Sequence, residues 1–202
     1  MPRALAGLLA LSLLTVGGCA ARRGTLVAET GEHRLTAKDP ESGVTVVLTM
    51  DVWEGEPRSV PEEVTVLHVL VANDGHQPIL LAPGDLVLRD RRGFTYPLLD
   101  PGGTFRPARA AEQKAGRYDF EVREDYDPGG PGEVQRFWPE GDIARLALPW
   151  GVLQPGTQMR GYVYFEPLTY NANGGTLTWH LGTPAHQPVL DLVFPMAVAR
   201  PR

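Results

Sequence analysis

Strict alternation of apolar side chains at every second residue is the pattern that most narrows the folds open to this chain. Val44, Val46, Leu48, Met50 and Val52 alternate with Thr45, Val47, Thr49, Asp51 and Trp53, which gives an extended segment one continuous apolar face. Residues 64–71 form an apolar, valine-rich run broken only by Thr65 and His68, as expected of a central strand with both faces at least partly covered. Asn73-Asp74-Gly75 then supplies a strong turn signal. Shorter extended segments follow at 79–82 and 85–89, and Arg91-Arg92-Gly93 turns the chain into 94–98. Further on, Leu153-Gln154-Pro155-Gly156 leads into 158–166, where Met159, Gly161, Val163 and Phe165 share one face. Arg160, Tyr162, Tyr164 and Glu166 take the other. The last segments, 176–181 and 189–196, continue the period, the latter gathering Leu190, Leu192 and Phe194. Glycine (23) and proline (19) are frequent enough to supply a turn after nearly every segment. No internal repeat is present. The expectation is an all-β fold, an antiparallel β-sandwich of about seven to nine strands.

One stretch departs from this pattern. Residues 100–150 form a long, mostly irregular insert, with a short helical period at 108–114 and the irregular run Asp127-Pro128-Gly129-Gly130-Pro131-Gly132. It carries Phe105, Tyr118, Phe120, Tyr126, Phe137, Trp138 and Trp150, a density of rings that unstructured linkers lack. Two roles fit them: packing over an edge of their own sandwich, or meeting a partner. Tyr118, Tyr126, Phe137, Trp138 and Trp150 are the candidate partner-binding residues, with Arg106, Arg109, Arg117, Arg123 and Arg136 around them.

The N-terminus carries a different signal. Arg3 precedes an apolar stretch from Ala4 to Val16, too short to span a bilayer, which ends in Gly17-Gly18-Cys19. This resembles a bacterial lipoprotein signal. The resemblance implies cleavage after residue 18 and acylation of Cys19, the only cysteine. A thioether explains an unpaired thiol in an exported chain, where disulfides otherwise take cysteines in pairs. On this reading 1–18 is a signal peptide, 19–32 a lipidated tether, and 33–202 the sandwich with its insert. The protein would then be bound to the envelope membrane through acyl chains, and Ala20, rather than Asp, after the cysteine resembles outer-membrane sorting.

Three segments carry a second resemblance: residues 64–73, 83–96 and 153–167, each a strand with a characteristic turn. They resemble the immunoglobulin-like sandwiches of small secreted or lipid-anchored bacterial proteins. The resemblance implies an adhesin, assembly factor or chaperone-like partner, and it carries no catalytic motif.

Tests for chemistry point the same way. The mature chain, formally −6, has the wrong charge for nucleic acid and no polybasic run for anionic lipid. Outside the leader only Ser42 and Ser59 could serve as serine nucleophiles, and neither lies in a nucleophile elbow. His33, His68, His76, His180 and His186 have no metal-ligand spacing. The acidic loop 121–127 offers four carboxylates to calcium without the EF-hand spacing. No enzyme, no cofactor and no metal site is expected. His68 reads as a buried, neutral histidine; Tyr162, Tyr164, Thr178 and His180 read as the outward face of neighbouring strands. The function expected is that of a lipid-anchored module contacting another envelope protein. The alternative is a lipoprotein that binds carbohydrate or another small ligand through surface aromatics.

Overall fold

The computed structural model describes residues 24–101, 141–168 and 172–199. Twelve strands lie within them: β1 Thr25–Ala28, β2 Arg34–Lys38, β3 Val44–Met50, β4 Thr65–Asn73, β5 Ile79–Leu81, β6 Leu86–Asp90, β7 Thr95–Tyr96, β8 Leu98–Leu99, β9 Gly151–Leu153, β10 Thr157–Phe165, β11 Gly175–Gly182 and β12 Pro188–Ala199. Two single-turn helices, α1 Val60–Glu63 and α2 Ile143–Leu146, and a 3-10 turn at Pro83–Asp85 complete the list. The strands form two antiparallel sheets. In the first, β1, β12 and β11 run side by side, and the far edge of β11 is shared by β6 with β7 and by β5 with β9. The second has the order β2-β3-β4-β10-β8. The expected all-β sandwich is therefore the observed architecture.

The alternation read from the sequence builds its core. Val44, Val46, Leu48 and Met50 of β3, with Leu67, Val69 and Val71 of β4, turn inward from one sheet. Leu177, Trp179 and Leu181 of β11, with Leu192, Phe194 and Met196 of β12, meet them from the other. Each such side chain contributes about 1.5–3 kcal/mol on burial. No disulfide is available, so this layer holds the sheets together.

Two expectations change. The strand count exceeds seven to nine because 94–98 divides into β7 and β8, and because β1, β2 and β9, of three to five residues each, are too short to show a period. The tether assigned to 19–32 is also too long. Residues 25–28 are strand β1, paired Thr25 with Ala199 through Ala28 with Met196, and Leu26, Val27 and Ala28 are buried.

A polar contact fixes one end of the sandwich. Asn73 closes β4 and is fully buried. Its Nδ2 donates to the Gln77 carbonyl at 2.9 Å and to the Leu153 carbonyl, in the opposite sheet, at 3.2 Å. Its Oδ1 accepts from the Gly75 amide at 3.1 Å. Gly75 must lack a side chain, since a Cβ there would lie 2.0 Å from the Ser42 carbonyl. Asn73→Ala should cost about 2 kcal/mol by orphaning buried carbonyls. Urea titration should show a lower midpoint at unchanged slope; an unmoved midpoint would mean the turn holds without the carboxamide.

Candidate functional site

The two ends of the sandwich differ, and the chain enters at only one of them. The Gly24 amide donates to the Leu168 carbonyl at 3.4 Å, and the Leu168 amide to Thr65 Oγ1 at 2.9 Å. Gly24 is thus seated where β3 ends, β4 begins and β10 ends. Asn73 lies at the opposite end. Four residues separate Gly24 from Cys19, and the five chain steps reach at most about 18 Å.

Beside Gly24 is a cleft of about 230 Å³, lined in part by Thr25, Asp51, Trp53, Arg58, Pro61 and Leu168. Its charged groups have partners: Asp51 lies 3.8 Å from His33, and Arg58 Nε donates to Glu56 at 3.2 Å. Trp53 Nε1 donates to the Pro57 carbonyl at 2.8 Å, which holds the indole as one wall. The cleft therefore offers an aromatic wall and paired charges.

The outward face of β10 is covered. Tyr162 and Tyr164 are buried beneath Val60, Ile143 and Trp53, with Trp53 meeting the rings edge-on at 4.9 and 6.0 Å. Tyr164 donates its hydroxyl to the Ile143 carbonyl at 3.0 Å, and burial raises its phenol pKa well above the usual range. Residues 147–148 lie across Gly161, where a Cβ would come within 2.5 Å of the Leu148 Cα. The four residues read as one outward face therefore separate. Tyr162 and Tyr164 belong to β10 and form a second small core, whereas Thr178 and His180 belong to β11 in the other sheet. His180 Nδ1 lies 2.8 Å from Asp191 on β12.

His68 is half-buried on β4, not enclosed, with Tyr162 edge-on at 5.1 Å. Burial lowers its pKa, and Arg160 adds to the effect. Trp150, one of the candidate partner-binding residues, is half-buried and packs on the main core. Its ring meets Trp179 edge-on at 6.2 Å, so the sandwich itself occupies it. Cys19, Tyr118, Tyr126, Phe137, Trp138 and the acidic loop 121–127 lie outside the described residues. Among the described residues, no three His, Asp, Glu or Cys side chains are grouped to hold a metal. No helix among them is long and apolar enough to cross a membrane.

Two features escaped the sequence reading. One is an open strand edge. β12 pairs with β11 over 188–196 but with β1 only over 196–199, so 188–195 have no strand paired with them on the β1 side among the described residues, although β2 of the other sheet packs close to β12. Pro188 and Pro195 bracket this edge, and Val193 is 59% exposed on it. The other is the β6–β7 turn. Phe94 was read as the first residue of a strand, but it precedes β7 and is 66% exposed. Asp90 builds that turn from a side chain closed to solvent. Its Oδ1 accepts from the amides of Arg92 at 2.8 Å and Phe94 at 2.9 Å, and Arg92 Nε lies 3.6 Å from Oδ2. Burial raises the Asp90 pKa, but the Phe94 and Arg92 amides, the Arg92 charge and the Tyr96 hydroxyl outweigh it and hold the carboxyl below its usual range.

No family model matches the chain. No curated protein matches it. Among solved structures it is similar to a candidate lipoprotein, ycdA, from Bacillus subtilis subsp. subtilis str. 168, at 11% identity and a TM-score of 0.40. The alignment covers 82% of this chain but only 38% of that one. A likeness at that score bears on neither topology nor function.

A depressed carboxylate stabilises the fold above its unfolded pKa, near 3.9, and that contribution fades as pH falls through the lower folded value. Asp90→Asn should therefore lose about 1–3 kcal/mol at neutral pH. The gap from wild type should stay constant above about pH 5 and narrow below about pH 4. A gap independent of pH in urea titrations would assign the loss to shape rather than charge.

Proposed function

We propose that this chain is a lipid-anchored, non-enzymatic binding module of a bacterial envelope, with an immunoglobulin-like sandwich that engages another envelope protein. Acylation of Cys19 would hold the Gly24 end against the membrane, and Ala20 supports the outer membrane as destination. The observation that carries the contact is the open edge of β12. A row of unpaired amides and carbonyls there is a template for an added strand, in which backbone bonds give affinity and alternate side chains give specificity. The bracketing prolines donate no amide hydrogen, which limits the edge to a short segment and discourages indiscriminate pairing. Trp150 packs on the core, so the insert's claim as partner surface rests on Tyr118, Tyr126, Phe137 and Trp138.

A second reading is supported by the cleft at Trp53 and Arg58, whose volume would take a single sugar or a similarly small polar ligand. Saturable thermal stabilisation lost in Trp53→Ala would favour it.

Mass spectrometry of protein extracted from its native membrane should find residue 19 first and carrying acyl chains. A photo-crosslinking residue at Val193 should then capture one defined envelope protein that the same residue at Glu62, exposed on α1, does not. Capture that persists after deletion of 104–139, which leaves α2 and Ile143 in place, assigns the contact to the edge; capture lost with the deletion assigns it to the insert. Equal yields at 193 and 62 would remove the edge from the account.

A further inference from the structure

We propose that the β6–β7 turn, residues 91–94, is a second membrane contact, with Phe94 seated among the headgroups of the bilayer that holds Cys19. The proposal rests on the acylation of Cys19 described above.

Strand register places the turn at the anchored end. Asp90 is aligned with Gly175, Gly175 with Met196, and Met196 with Ala28, so these four residues form one row across the sheet. β6 and β12 both flank β11 antiparallel to it and therefore run in the same direction, β12 reaching Ala199 beside Thr25. The turn continues β6 past that row, toward the level of Thr25. Three strand spacings, about 14 Å, separate β6 from β1. Phe94 faces Asp90 across the turn, so it stands level with Ala28 and about 10 Å along the strand from Thr25, a distance inside the reach of the five chain steps between Gly24 and Cys19.

The turn is built to present that ring rigidly. Gly93 takes a φ of +93°, which a side chain would resist, and the Asp90 amide donates to the Phe94 carbonyl at 2.8 Å. With the Asp90 carboxylate taking the Phe94 amide in return, both backbone groups of Phe94 are fixed while its ring stays in solvent. A single exposed apolar residue is ordinary on a protein surface. Here a buried carboxylate holds the turn, and two exposed arginines precede Phe94 within it. Arg91 and Arg92 are each 57% exposed; Arg91 also donates to Glu29 at 2.9 Å. A ring at the acyl boundary with guanidinium groups at the level of lipid phosphates is the arrangement that interfacial anchors use. The absence of a polybasic run is no obstacle, because acyl chains on Cys19 supply the binding and the turn sets orientation.

The test separates the turn from the anchor. All described strands and both apolar clusters lie within 24–199, so a chain beginning at Cys19 keeps the fold. Its sole thiol can be joined chemically to a maleimide phospholipid in phosphatidylcholine–phosphatidylglycerol vesicles, whether or not the cell acylates it. Phe94→Trp and, at the opposite end, Glu41→Trp each add one indole to a common background. Lipids brominated high on the acyl chain should quench the emission added at 94 by about twofold and leave that added at 41 unchanged. Equal quenching at both sites, or none at 94, would overturn the contact. Native protein lacking acyl chains would overturn the anchor alone, and the tethered measurement would still decide the turn.

Discussion

The buried carboxamide of Asn73 is the contact on which the two-sheet arrangement depends. Apolar packing between sheets has no direction and tolerates sliding, whereas a two-donor, one-acceptor group with three fixed partners does not. By bonding its own turn and the Leu153 carbonyl together, Asn73 sets the offset of one sheet on the other. The cleft and the seat of Gly24 lie at the other end of the sandwich.

What the sequence revealed followed the range of the interactions. Residues 44–50, 65–73, 157–165 and 188–199 were legible because a long strand with one buried face repeats every second residue. β1 was not, since its four residues become a strand only against Met196–Ala199 at the far end of the chain. The tyrosines of β10 illustrate the same limit. Their placement on the outward face was legible; their burial was not, because Trp53, Val60 and Ile143 converge on them from separate regions of the sequence. Trp150 was singled out for its aromaticity and proved to be a neighbour of Trp179. Composition identifies a ring, and only packing shows whether its surface is free.

The two features on which the proposals rest were hidden for another reason. An open edge is a property of strand order, and β12 looks complete until the four-residue β1 is laid beside its last third. Phe94 follows a glycine turn and precedes a tyrosine strand, so its pattern reads as the start of β7. What removes it from the strand is Asp90, whose carboxylate bonds the Phe94 amide.

The pairing of β1 with β12 has a mechanical consequence. Backbone bonds between antiparallel strands lie perpendicular to the strand axis. A pull on Gly24 along β1, resisted by whatever holds the body of the domain, loads the bonds from Thr25 to Ala28 together in shear rather than one after another. β1, the first element among the described residues, is thus oriented as a clasp against tension on Gly24.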